Sequence, residues 1–381
     1  MTPAARAAAA IAILDRILGG DPAEAALLRW SRDSRFAGSG DRAAVRDLVF
    51  DSLRRLHSRA ALGGAMTGRG LLLGLCRDEG TDPVALFSGQ GHAPAPLSAA
   101  ELAAGHSPDG AGALDLPDWP LPLWQGALGK DATPIALAMR DRAPVWLRVN
   151  TLRATPAKAQ EALASDGIET QPASDLPTAL RVTSGARRVA NSRAYRDGLV
   201  ELQDLSPQLA CTALPDAGTV LDFCAGGGGK ALALAATGAR VTAHDIDARR
   251  MSDLPARAKR AGAAIRLAQP GQVQGLFDLV VADVPCSGSG TWRRTPDAKW
   301  RFDAAALQHL LTVQAQILDR VAPHVAPGGH LAYMTCSLLE GENQRQADAF
   351  VQRAGFEPVA MRRFTPLEAS DGFFLALMRR R

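Results

Sequence analysis

Over the first sixty positions the apolar residues recur at helical spacing. Ile11, Leu14, Ile17 and Leu18 fall on one face, and Val45, Leu48, Val49, Leu53 and Leu56 form a second stripe. Ser39 or Asp41 can cap the second helix, because a short oxygen-bearing side chain satisfies the free N–H groups of a first turn. The pattern predicts an all-helical N-terminal domain. Residues 88–122 are rich in Gly, Ala, Pro and Ser and predict a connection, with Leu97 to Ala104 able to form a helical turn or two. Val145 to Val149 alternates as a strand should. With a Pro156-led helix and the short strands at Leu180 to Val182 and Leu199 to Gln203, it predicts a small α+β unit. From Gly218 onward strands alternate with helices. The strands are Val220 to Asp222, Arg240 to His244, Leu279 to Ala282 and His330 to Met334, and an antiparallel edge strand is placed at Phe373 to Leu377. That rhythm predicts a doubly wound parallel sheet.

Composition narrows the class without naming a function. The chain has 381 residues, 47% hydrophobic and 22% charged, as expected of a folded protein that is neither disordered nor membrane-spanning. Asp15-Arg16 interrupts the first apolar run, so no secretory signal is read there. Five cysteines, without a C-x-x-C pair, point to a reducing cytoplasm and to neither zinc nor disulfides. The net charge is +4, and the basic residues are grouped at Arg187-Arg188 with Arg193 and Arg196, at Arg257 with Lys259 and Arg260, and at Arg293-Arg294 with Lys299 and Arg301. Grouped cations fit a polyanionic partner.

The chemistry gathers where strands end, which is where open α/β sheets bind ligands. Asp222-Phe223-Cys224-Ala225-Gly226-Gly227-Gly228-Gly229-Lys230 joins a buried strand to a helix. Its glycines allow close approach of a ligand, yet it is neither G-x-G-x-x-G nor a Walker loop. Asp245, with Asp247 as the fallback, stands about 20 residues past the loop, where a carboxylate accepts ribose hydroxyls. Together these features predict a nucleoside-containing cofactor. Two further strands each run into a thiol, Cys286 in Asp283-Val284-Pro285-Cys286 and Cys336 in Thr335-Cys336-Ser337, so both emerge at one sheet edge. A thiolate can add to carbon 6 of a pyrimidine and render carbon 5 nucleophilic, and a carboxyl such as Asp283 suits the amine edge of cytosine.

In combination these motifs resemble the Sun/Fmu (RsmB-like) family of ribosomal RNA cytosine-5 methyltransferases. The resemblance is carried by Asp222-x-Cys224-Ala225 with the glycines and Lys230, by Asp283-x-Pro285-Cys286-Ser287-Gly288-x-Gly290 with Arg293-Arg294, by Thr335-Cys336-Ser337 followed by Glu342-Asn343, and by Asp371-Gly372-Phe373-Phe374. The N-terminal stretch, with Gly40-Asp41-Arg42 and Leu53-Arg54-Arg55, is similar to the NusB-like RNA-binding domain. The implied layout is a helical NusB-like domain over residues 1–130, a small α+β RNA-binding subdomain over 131–210, and a Rossmann-like methyltransferase domain over 211–381. The resemblance implies S-adenosylmethionine as methyl donor, 5-methylcytosine in 16S rRNA as product, Cys336 as nucleophile and Cys286 as the residue assisting release. A cytoplasmic monomer without metal is expected. Arg293, Arg294 and Lys299 are expected to hold RNA phosphates, and Cys224 to Lys230, Asp245 and Asp283 to meet the cofactor. Two departures stand out: Gly226-Gly227 replaces the usual Ala-Pro, and no acid follows the third strand, where Gln269 is the remaining adenine-facing group. A non-catalytic ribosome-assembly factor, or a methyltransferase acting on another RNA or an exocyclic amine, is the competing reading.

Overall fold

The structure is a computed structural model that describes all of residues 1–381, and the chain divides into two contact units. The first comprises Met1–Arg142 with Trp292–Ala304. Its main helices are Pro3–Leu18, Ala23–Asp33, Ser39–Arg54, Leu56–Gly63 and Gly68–Glu79. Both predicted apolar stripes face one core, in which Ile13, Leu14, Val45, Val49, Leu53, Leu71 and Leu72 are essentially inaccessible. Each such side chain contributes about 1.5–3 kcal/mol on leaving water. The first helix is capped by Thr2, whose hydroxyl accepts the Ala5 N–H at 3.1 Å.

Residues 292–304 fold into this helical unit, whereas the sequence assigns them to the methyltransferase domain. Arg54 Nε donates to the Arg293 carbonyl at 2.7 Å, Trp300 Nε1 to the Leu53 carbonyl at 2.7 Å, and Trp119 Nε1 to the Phe302 carbonyl at 3.0 Å. Trp292 stacks on Trp124 with ring centroids 6.1 Å apart. Two of the three expected phosphate holders are thereby corrected. Lys299 is buried, its Nζ donating to the carbonyls of Arg54 and Asp115 at 3.2 and 2.5 Å, and Arg293 is buried as well. Buried cations are not presented to a polyanion, and of the three only Arg294 lies on the surface.

The second unit holds two sheets. Strands β1 (Val145–Val149), β2 (Glu169–Pro172), β3 (Ala179–Ser184) and β4 (Val200–Leu202) form an antiparallel sheet in the order β2-β3-β1-β4, backed by the helix Pro156–Ser165. The larger sheet contains β5 (Thr219–Asp222), β6 (Arg240–His244), β7 (Ile265–Ala268), β8 (Phe277–Asp283), β9 (Val325–Thr335), β10 (Phe356–Phe364) and β11 (Phe373–Arg380), in the order β10-β11-β9-β8-β5-β6-β7. β5 to β9 run parallel and β11 returns antiparallel against β9. The strand at Phe373 is therefore interior. The edge belongs to β10, which carries Pro358 and the exposed Val359 and so lacks clean alternation; an edge tolerates a residue without an N–H.

Strand order reverses at β5, which pairs with β6 on one side and β8 on the other. That switch point opens a crevice beyond the strand ends. No helix is long and apolar enough to cross a membrane.

Candidate active site

Register brings the chemistry to one edge. Asp222 pairs with Ala243 and Val281, and Asp283 with Met334, so the segments after β5, β6, β8 and β9 leave the sheet side by side. Two adjoining cavities lie there. One of about 450 Å³ is walled by Phe223, His244, Asp245, Ile246, Gly271 and Val273. The other, about 440 Å³, is walled by Asp222, the loop Cys224 to Gly227, Gly229, Lys230, Asp283, Cys286 and Cys336. Volumes of this size suit a cofactor-sized ligand.

In the second cavity the two sulfurs are 3.4 Å apart and both cysteines are free. The Cys286 thiol donating to Cys336 holds Cys336 below the usual thiol range, and the same contact pushes Cys286 well above it. Cys336 is thus the sulfur prepared to be a thiolate, which is the nucleophilic form. Lys230 Nζ lies 2.6 Å from Asp283 Oδ2. Burial disfavours the ammonium, but the Asp283 charge outweighs it and the lysine pKa is raised. Asp222 is fully buried, and neither of its oxygens finds a hydrogen-bond partner. Burial pushes its pKa up to about 7 against the pull of Lys230. Burial likewise raises the Cys224 thiol, as for a thiol that packs rather than reacts.

The glycine loop is shaped by its acid. Asp245 Oδ2 accepts the Gly226 N–H at 3.0 Å and lies 3.3 Å from Arg250, while Oδ1 accepts the Asp247 N–H at 3.1 Å. Gly228 has φ +79°, and a Cβ there would lie 2.2 Å from Leu254 Cδ1, so this glycine serves packing and turns away from the cavity. Gly290 and Gly372 cross so closely that a Cβ on Gly290 would sit 2.3 Å from the Gly372 carbonyl. That crossing brings the Gly290 N–H to the Cys336 carbonyl at 2.9 Å. Gln269 does not reach the site. It is exposed, walls neither cavity, and accepts the Gln272 N–H through its carbonyl in the turn that delivers Gly271 and Val273.

Sequence comparison gives the arrangement a family. Residues 210–379 match the profile of the 16S rRNA methyltransferase RsmB/F family, and residues 116–189 match the ferredoxin-like domain of the same RsmF/B-like proteins. The chain belongs to the RsmB/F methyltransferase family. Ribosomal RNA small subunit methyltransferase B of Escherichia coli (strain SMS-3-5 / SECEC) is 35% identical over 280 residues, as is the Shigella flexneri protein of that name. The matched stretch covers 68% of this chain and 65% of the relative's length, so the chain spans just under two thirds of the relative it matches. The crystal structure of PH0851 shares the fold with TM-score 0.77 at 22% identity over 99% of both chains. That of NSun6 from Pyrococcus horikoshii with SFG has TM-score 0.62 at 17% identity, over 70% of this chain and 98% of that one.

Within this RsmB/F chain, sequence reasoning overlooked Arg250, Arg257 and Gln203 on the cavity wall. The group Arg257, Lys259, Arg260 stands out in the sequence only as a cationic patch. In the structure Arg257 and Arg260 reach the buried Glu201 at 2.9 and 2.6 Å, tying the small sheet to the helix Leu254–Ala261 beside the glycine loop. The signal available was Glu201 itself, an acid in an otherwise apolar strand.

Proposed function

We propose that this protein methylates carbon 5 of a cytosine in RNA, with small-subunit ribosomal RNA the expected substrate, through a covalent adduct on Cys336. The observation that carries the reading is the pair of sulfurs 3.4 Å apart beside the Lys230–Asp283 pair, all on the wall of one cavity. The site residues fit S-adenosylmethionine. Asp222 is a buried carboxylate without a partner and so suits an ammonium group, Asp245 stands at the cavity wall for ribose hydroxyls, and Phe223, Ile246 and Val273 give apolar walls for a flat base. Bound there, S-adenosylmethionine supplies the methyl group.

The chain's own residues do the rest. Lys230 occupies Oδ2 of Asp283, leaving Oδ1 to accept from the exocyclic amine and orient the ring. The Cys336 thiolate adds to carbon 6, so that electron density moves to carbon 5, which takes the methyl group. Water entering the cavity then takes the carbon 5 proton, the C–H electron pair re-forms the ring double bond and expels Cys336 as a thiolate, and the Cys286 thiol donates its hydrogen bond to the departing sulfur. The target base is turned out of its stack to reach the cavity. The NusB-like helical unit and the exposed Arg187, Arg188, Arg193 and Arg196 of the small sheet supply cations for the RNA backbone.

Cys336→Ala should abolish methyl transfer, and Cys286→Ala should accumulate an RNA adduct that survives denaturing electrophoresis. Mass spectrometry of digested RNA should find 5-methylcytidine. Full activity in Cys336→Ala, or a methyl group on the exocyclic amine, would refute the mechanism.

A further inference from the structure

We propose that Glu342 is the positioning residue for both thiols, a buried carboxylate that clamps the turn after Cys286 to the turn after Cys336. The proposal rests on the two-thiol reading above but concerns how the pair is held. Glu342 is 0% exposed and walls neither cavity, so it does not touch a ligand. Its Oε1 accepts the Ser287 N–H at 2.8 Å and Gln314 Nε2 at 3.0 Å. Its Oε2 accepts the hydroxyls of Ser287 and Ser337, each at 2.5 Å. Ser287 follows Cys286 and Ser337 follows Cys336, so one carboxylate holds both neighbours. No cationic side chain pairs with Glu342; four donors alone stabilise the buried charge, a tolerable arrangement only when every acceptor site is satisfied.

The hydroxyl directions are fixed from behind. Ser287 Oγ accepts the Ser289 N–H at 3.2 Å, Ser289 Oγ the Leu338 N–H at 2.9 Å, and Ser337 Oγ the Leu339 N–H at 3.0 Å. For the protons of the Ser287 and Ser337 hydroxyls, Oε2 at 2.5 Å is the nearest acceptor, closer than the neighbouring serine oxygens at 3.0 to 3.2 Å. Gln314 also donates to the Pro285 carbonyl at 3.0 Å, and Tyr333 to the Glu342 carbonyl at 2.6 Å, which anchors the clamp to the helix Ala304–Val321 and to β9. An amide in place of Oε2 would set donors against donors. Nothing else in the network bridges both thiol-bearing turns through a single charged group.

The test is Glu342→Gln, with Val321→Ala as a core variant that lowers stability without touching the network or either cavity. In the absence of RNA and cofactor, diamide should oxidise Cys286 and Cys336 to a disulfide, the two thiols losing two electrons and two protons to the diazene, and peptide mass spectrometry follows the rate. Glu342→Gln should slow this reaction at least tenfold and lower kcat at least tenfold, with KM for RNA within twofold of wild type. Val321→Ala should leave all three unchanged. If Glu342→Gln does not fold, Ser337→Ala, which removes one donor, should show the same pattern at smaller amplitude. Wild-type oxidation rate and kcat in a folded Glu342→Gln or Ser337→Ala protein overturns the clamp. Because the oxidation needs no substrate, it is read independently of Cys336→Ala, whose retained activity would overturn the mechanism instead.

Discussion

The chain carries two largely enclosed lysines whose surroundings treat the same ammonium in opposite ways. Lys230, in the crevice beyond the strand ends, faces the Asp283 carboxylate at 2.6 Å, and its charge is stabilised despite burial. Lys299, in the helical unit, meets two carbonyls and the Trp300 ring at 4.4 Å, with no carboxylate bonded to it. Asp115, the nearby acid, is occupied by Arg140 at 2.7 Å and by Ser58. Burial therefore dominates and brings the Lys299 pKa down to about 7. A neutral amine has two N–H bonds and two carbonyls to receive them, so the packing suits the uncharged form. The lesson is that a cation's role follows from what answers its charge: an acid on a cavity wall makes a site, and carbonyls in a core make a joint.

The largest expected effect separates the two lysines by activity. Lys230→Met strands the Asp283 charge and frees the carboxylate to swing, and single-turnover methyl transfer should fall on the order of 100-fold or more, the scale on which misplaced polar groups cost catalysis. Lys299→Met should leave the turnover of the folded protein within about twofold, since its amine bonds only backbone. A Lys230→Met enzyme with wild-type turnover would remove Lys230–Asp283 from the mechanism.

Next in size is a difference in stability and its pH dependence. Between pH about 7 and the ordinary lysine value of 10.5, the unfolded chain holds a proton at Lys299 that the folded chain gives up. Stability contributed at this position therefore rises with pH across that window and is lowest below it, where folding must bury the charge. Lys299→Met has no such term. At pH 9 the substitution should cost about 2 kcal/mol by orphaning the Arg54 and Asp115 carbonyls, and urea unfolding should show that cost shrinking toward pH 6. A cost that stays constant between pH 9 and pH 6 would mean that the buried amine is held charged.

How much of this was legible in the sequence differs between the two units. The parallel sheet could be read because strands buried on both faces are uniformly apolar, as in Leu279 to Ala282, and because each ends in a residue that breaks the pattern. The convergence of Asp222, Asp245, Asp283, Cys286 and Cys336 followed from that topology. The position of residues 292–304 did not. Arg293, Arg294 and Lys299 look alike in a one-dimensional reading, and a charged residue is buried only when distant backbone groups receive it, here the carbonyl at Asp115, 184 positions away in the chain. Glu342 was visible as part of a motif, but its four donors come from three segments that only the fold assembles. Gln269 failed for a related reason: distance from the strand end was legible, whereas the turn that brings Gly271 and Val273 to the wall was not.

The smallest effect tests the corrected basic cluster. Arg294 lies on the surface while Arg293 and Lys299 do not, so the three should respond differently to alanine. An exposed arginine meeting one phosphate contributes modest affinity and one released counterion. Arg294→Ala should therefore weaken RNA binding two- to fivefold and reduce the dependence of log K on log salt by about 1. Arg293→Ala and Lys299→Ala should instead lower the melting temperature of the helical unit and leave the salt slope of the folded protein unchanged, because a side chain enclosed in that unit releases no counterion when RNA arrives. Equal salt slopes for Arg294→Ala and the wild type would show that none of the three meets RNA, and would leave the loop Arg187 to Arg196 as the cationic surface of the chain. A reduced slope in Lys299→Ala would show that the helical unit opens around residues 292–304 on binding.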